Sequence, residues 1–255
     1  MNKERFEKQL DFILEADKEK NILRQTHLSG HGRRENDAEH AWHMAMMIYL
    51  LKEYANESFD VAKAMMMALI HDIVEIDAGD TYAYDTKALE TQKEREEKAA
   101  DRIFGILPED QRDELRALFE EFEAGKSPEA RFVKVMDNFQ PLLLNNSNGG
   151  ADWREHKVTK SKVVGRQQTS SLGSEEIWKY TEKLINENVE KGNIIDNCPK
   201  QPSFKIATRA LSNLKICIAV NKENALRKSW IYFRRSAGLP LSSVVCCCAD
   251  RRYNT

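Results

Sequence analysis

Apolar residues recur at helical spacing through most of the first 195 residues. Phe6, Leu10, Ile13 and Leu14 predict a helix near the N-terminus. Ala41, Met44, Ala45, Ile48 and Leu51 form the stripe of a second, over about 37–55. The run Ala-Met-Met-Met-Ala-Leu-Ile predicts a third, over about 59–77. Gly79 is its expected stop, because glycine takes the left-handed cap conformation readily. A charged segment over about 87–104 carries Glu, Lys and Arg at i,i+4 spacing. Pro108 suits the start of a helix over about 108–123. Ser127-Pro128 reads as an N-cap followed by proline at the first helical position. The helix it opens would bury Phe132, Val135, Met136, Phe139 and Leu143. Pro141 lacks the N–H that would bond the Asp137 carbonyl, which predicts a kink or a boundary there. Asn145 to Gly150 reads as a loop. A Ser174 cap opens the last helix, to about Glu190, with Ile177, Trp178, Thr181 and Leu184 at core spacing. Strand signals are sparse. The expected fold class is therefore all-α, a helical bundle. No apolar run reaches the ~18 residues of a membrane span.

The net charge of −2 hides an asymmetry. Residues 198–255 hold 11 Lys+Arg against 2 Asp+Glu, so residues 1–197 form an acidic body. All five cysteines, Cys198, Cys217 and Cys246 to Cys248, fall in the basic stretch. Their triplet lacks Cys-x-x-Cys spacing and has no histidine near it, which is a weak zinc signal. The expected division is a body over 1–195 and a basic, Cys-containing tail over 196–255. The tail reads either as a basic arm for nucleic acid or membrane or as a stretch translated outside its natural frame, and the second is favoured. The first residues lack an apolar signal region, so a cytoplasmic location is expected.

The chemistry concentrates at His71-Asp72, an adjacent pair inside the apolar third segment. A buried imidazole and carboxylate are costly unless they are paired or bound to a cation. His40 upstream and Asp137 downstream are further candidate ligands, although His43 competes with His40 on the same helix face. Two imidazoles and two carboxylates make a mixed N/O site, suited to one divalent metal ion: manganese, cobalt, iron, magnesium, nickel or zinc. Glu75 lies one turn past His71, and on a helical wheel His71, Asp72 and Glu75 share one arc of ~100°. A helix glutamate is commonly a solvated charge. Here it stands out from apolar surroundings and is read as the group that orients a water. Asp80, just past Gly79, is preferred to Asp77 as a substrate contact. Arg24 and Arg33 precede the first ligand. Most arginines are surface charges, but a phosphoryl substrate needs cationic partners and the guanidinium fork fits phosphate oxygens.

His40, His71-Asp72 and Asp137, in that order on helices, resemble the H…HD…D signature of the HD-domain metal-dependent phosphohydrolases. Glu35-Asn36-Asp37-Ala38-Glu39-His40 and the stretch from His71 to Asp80 resemble the small single-domain branch. That branch includes bacterial 5′-deoxynucleotidases of the YfbR type and HDDC2-like proteins. The resemblance covers about residues 1–195 and favours His40 over His43. It implies an HD-domain helical bundle with a metal site between helices, and one divalent cation on His40, His71, Asp72 and Asp137. Glu75 would align the attacking water, Asp80 would contact the sugar or assist catalysis, and Arg24 would bind phosphate. In the deoxynucleotidase a tryptophan follows that arginine and helps exclude ribonucleotides. Gln25 stands there here, so the resemblance leaves the choice between deoxyribose and ribose open. The implied activity is a 5′-nucleotidase, a phosphoric monoester hydrolase acting on (deoxy)nucleoside 5′-monophosphates, in a homodimer. Other HD chemistries, on pyrophosphorylated or cyclic nucleotides, stand as the alternative. A nucleic-acid-binding protein working through the basic tail stands as a reading from another class, and nucleic acid is not the expected partner.

Overall fold

The structure is a computed structural model that describes residues 2–79 and 86–197. In chain order, α1 spans Lys3–Ala16, β1 Leu23–His27, β2 Arg34–Asn36, α2 Asp37–Leu51, α3 Val61–Ile70 and α4 Glu75–Ala78. They are followed by α5 Thr86–Phe104, α6 Glu109–Ala124, α7 Pro128–Ser147, α8 Ala151–Glu155, α9 Lys160–Arg166, α10 Ser170–Gly173 and α11 Glu175–Glu190. The protein is a helical bundle with one two-stranded antiparallel hairpin. Helices α2 and α3 pack against each other and both against α7. Between them Met44, Ile48, Met67, Phe132 and Met136 form the main core. A second core, with Ile73, Ile103, Phe104 and Phe119, lies under α4, α5 and α6.

The helix starts follow from their capping residues. The Glu39 N–H donates to Asn36 Oδ1 at 2.9 Å and the Asn36 N–H donates to Glu39 Oε2 at 3.2 Å, a reciprocal capping box that fixes where α2 begins. Ser127 accepts from the Ala130 N–H and Ser174 from the Ile177 N–H, as their positions predict. At the end of α6, Gly125 takes φ 59° and closes the helix onto the Glu121 and Phe122 carbonyls.

Four expectations change. The third segment is not one helix: α3 stops at Ile70, and His71 to Val74 form a turn before α4. The hydrogen bonds there tighten to i→i+3, with the Glu75 N–H on the Asp72 carbonyl at 2.8 Å. Of the kink or boundary expected at Pro141, the boundary is absent, since α7 runs through it to Ser147 and takes in part of the expected loop. Gln167 donates to the Asn138 carbonyl at 2.9 Å, one residue past the carbonyl that Pro141 leaves unserved. The hairpin arises from polar residues, Arg-Gln-Thr-His and Arg-Glu-Asn, that carry no apolar alternation. Finally, α1 forms as expected but Phe6, Leu10, Ile13 and Leu14 are 41 %, 42 %, 62 % and 69 % exposed, and α1 packs inward through Phe12 and Ala16. Among the described residues no helix is long and apolar enough to cross a membrane. Asp80 and the stretch 198–255 lie outside the described residues.

Candidate metal centre

Three helical segments deliver the candidate ligands to one place. His40 comes from the second turn of α2, His71 and Asp72 from the turn that ends α3, and Asp137 from the middle of α7. The break after Ile70 lets two adjacent residues face the same point. His40 Nε2 lies 3.2 Å from Asp137 Oδ1, His71 Nε2 lies 3.0 Å from Asp72 Oδ2, and His71 Nε2 lies 4.0 Å from Asp137 Oδ1. Ligand atoms of His40, His71 and Asp72 all fall within 4.8 Å of one another. His40 is fully buried and His71 nearly so.

The far nitrogens of both rings are committed. His71 Nδ1 meets the Ala68 carbonyl at 2.8 Å and His40 Nδ1 meets Gln140 Oε1 at 3.0 Å. A carbonyl only accepts, so each Nδ1 carries a hydrogen and each Nε2 is the nitrogen turned inward. The Gln140 amide is itself oriented, because its nitrogen donates to Glu35 Oε1 at 2.6 Å and faces His43 Nδ1 at 3.1 Å. His43 therefore turns away from the cluster and supports it through Gln140. His71 Nε2 is buried and, despite its closeness to Asp72, makes no hydrogen bond.

The charges point the same way. Burial lowers the His40 pKa to about 4, helped by Arg24, so this imidazole is neutral near pH 7. Burial also lowers that of His71, but Asp72 and Asp137 outweigh it and hold it up at about 9. Asp72 and Asp137 themselves sit well below the usual carboxylate range in spite of burial, held there chiefly by His71 and His40 respectively. Asp37 is raised to about 6 by burial and by Asp72. Arg24 donates to Asp72 Oδ2 at 2.7 Å and to Asp37 Oδ1 at 3.0 Å. Glu75 joins Asp37 and Asp72 with carboxylate oxygens inside the same 4.8 Å limit. One guanidinium thus faces a surplus of buried carboxylates, and that field would draw a divalent cation as it draws a proton onto His71. Two imidazoles turned inward through Nε2 and an N/O donor set with spare negative charge fit such a cation, which would take the place of the proton on His71.

The cluster opens on a cavity of about 430 Å³, a size suited to a small organic ligand. Arg24, His71, Asp72, Glu75 and Asp137 line it. Gln25 lines it as well, beside Arg24. Arg33 does not reach it: its side chain is exposed and ion-paired with Glu39. Arg166 does, with a nitrogen 3.9 Å from Asp137 Oδ1. Nothing in the sequence singles out Arg166, which sits on the short α9 with no apolar stripe. Gln140 was findable, being three residues past Asp137 on the same helix face.

A family model described as an HD domain matches residues 16–178. The chain belongs to the HD domain family. Among HD proteins of known structure it resembles one from Magnetospirillum magnetotacticum, described as a predicted metal-dependent phosphohydrolase. The two are 46 % identical with a TM-score of 0.71, over 74 % of this chain and 95 % of that one. Among curated relatives it is 36 % identical over 111 residues to human 5′-deoxynucleotidase HDDC2, covering 44 % of this chain and 53 % of the human protein. The Dictyostelium discoideum protein of that name is 33 % identical over 128 residues, 48 % of this chain and 67 % of its own length. The chain spans about half the length of the vertebrate relatives it matches. The match shows the HD domain and its helical fold in this chain.

Proposed function

We propose that this HD protein is a metal-dependent 5′-nucleotidase that hydrolyses (deoxy)nucleoside 5′-monophosphates to nucleoside and phosphate. The observation that carries the reading is the convergence of His40, His71, Asp72 and Asp137 on one point at the floor of a cavity that also holds Glu75, Arg24 and Arg166. Those four residues would hold one divalent cation. When bound, the cation supplies Lewis acidity to a phosphoryl oxygen and makes water a competent nucleophile near neutral pH. Glu75 would accept a hydrogen bond from the attacking water and take its proton. Arg24 and Arg166 would meet the phosphate oxygens, and Arg166 replaces Arg33 in that role. Asp80 is retained as a candidate substrate contact on the strength of its motif. The names of the curated relatives support a nucleoside monophosphate as substrate. Gln25, on the cavity wall, is the candidate for meeting the sugar.

The same reading includes a homodimer. Trp42, Met46, Tyr49 and Leu50 fall on one face of α2 and are 62 %, 42 %, 53 % and 62 % exposed, an apolar stripe that a second copy would cover. Light scattering of the purified protein tests it: a dimer mass is expected, and a monomer that persists at high concentration removes it.

The test of function is phosphate release from deoxy- and ribonucleoside monophosphates, with each divalent metal returned to chelator-stripped protein. Metal-dependent release that disappears in Asp72→Ala is the expected result. A protein that binds metal yet releases phosphate from no monophosphate would overturn it and point to another phosphoester.

A further inference from the structure

Away from the HD centre, two imidazoles and a carboxylate meet at the hairpin. His27 ends β1, His31 lies in the turn between β1 and β2, and Asp152 lies in α8. Their ligand atoms all fall within 4.8 Å of one another. Both histidines direct Nδ1 at one oxygen: Asp152 Oδ1 is 2.8 Å from His27 and 3.9 Å from His31. The ring centroids are 4.6 Å apart. Metal–nitrogen and metal–oxygen bonds of ~2.0–2.2 Å place adjacent ligand atoms ~3.0–3.4 Å apart, between the two observed separations.

A plain hydrogen bond from His27 to a buried carboxylate would account for the first imidazole. It does not account for the second. His31 takes φ 56°, a left-handed conformation uncommon outside glycine, and so brings its ring over the same oxygen. Hydrogen bonds from the backbone and Asn148 hold both in place without a cation. The His31 N–H donates to Asn148 Oδ1 at 2.6 Å, Asn148 Nδ2 donates to the His27 carbonyl at 3.2 Å, and the His27 N–H donates to Asp152 Oδ2 at 3.1 Å. Asp152 thus keeps Oδ1 for the imidazoles, and a ligand would not have to order the loop.

We propose that His27, His31 and Asp152 form a second divalent-cation site, separate from the HD centre, that takes a borderline transition cation such as zinc, nickel or cobalt. Two imidazoles with one carboxylate select that class over magnesium or calcium, which prefer all-oxygen ligands. His31 is half-exposed, so the remaining coordination positions face water and the cation exchanges with solution. The site ties β1 to α8. Strand β1 carries Arg24, Gln25 and Thr26 into the cavity wall, and α8 carries Asp152 and Trp153 to the same wall, so a cation there braces the cavity.

The test counts cobalt ions bound by the chelator-stripped full chain. His31→Gly deletes the imidazole and relieves the left-handed backbone, so folding is not at risk. Histidine is absent from residues 198–255, and any thiolate binding there shows separately as sulfur-to-cobalt charge transfer. The expected result is that His31→Gly loses one equivalent, Asp72→Ala loses a different one, and the double variant loses both. Asp152→Asn should repeat the His31→Gly loss, because the amide keeps its acceptor but not its charge. Cobalt should raise the melting temperature of Asp72→Ala and leave that of the double variant unmoved. A His31→Gly protein that binds as many ions as wild type overturns the proposal, as does a melting shift that survives in the double variant.

Discussion

At the scale of single residues, the site separates groups that would hold a cation from groups that would use it. Asp72→Ala removes a carboxylate that faces both His71 and Arg24. It should cost the HD centre its bound cation, read by calorimetry. Glu75→Gln should leave that cation bound and slow turnover about 100-fold or more, the scale of a lost general base. Wild-type rates in Glu75→Gln would show that another group takes the proton. Gln140→Ala leaves the His40 ring without its acceptor and should weaken cation binding by about 10- to 100-fold. Glu19 offers a test of a different kind. Burial raises its carboxyl to about 8, with Asp72 adding to the effect, and its Oε1 is buried with no hydrogen-bond partner. A folded-state pKa above the unfolded one means that the fold holds the extra proton. Its stabilising contribution is complete below about pH 4.5 and is lost as pH rises through about 8. Glu19→Gln, neutral at every pH, should flatten that decline. Thermal melts of chelator-stripped protein at pH 5 and pH 8 give the comparison, and equal slopes in variant and wild type would remove Glu19 as the cause.

At the scale of elements, the helices were legible where caps and stripes agreed, and hidden where long-range contacts decided. Ser127 and Ser174 announce α7 and α11 because an N-cap is a local event. The end of α3 at Ile70 has no local signal, since neither glycine nor proline stands between His71 and Val74 to stop the helix. The four candidate ligands were readable from the sequence by their motif spacing. The bond from Gln140 to Glu35 and the approach of Arg166 were not read, since they depend on how α7, β2 and α9 come together. Helix α10 shows how close such approaches are. A Cβ on Gly173 would lie 2.5 Å from the Arg131 carbonyl oxygen and 2.7 Å from Val135 Cγ2. Gly173→Ala should therefore push α10 off α7 and cost about 1–3 kcal/mol in urea denaturation. An unchanged midpoint would mean that the contact relaxes freely.

At the scale of the whole molecule, every described group of the candidate centre lies between Arg24 and Arg166, inside the matched HD domain. A chain ending at residue 197 should keep the cation stoichiometry of both histidine sites and the rate of the full chain. A drop in rate with stoichiometry intact would assign residues 198–255 a part in substrate handling. If those residues act instead as a nucleic-acid arm, binding should weaken steeply with salt and vanish on truncation.

The Gln140 amide has one more consequence. Among polar side chains it is a strut with an accepting end and a donating end and no proton to trade, so it works alike in acid and in base. It fixes which nitrogen of His40 faces the centre without reporting the acidity of the medium. Had a glutamate stood there, the same geometry would have made the grip on the cation a function of the surrounding pH. The amide makes the cradle indifferent to pH on that side, and acid–base duty would fall to other groups, Glu75 first among the candidates.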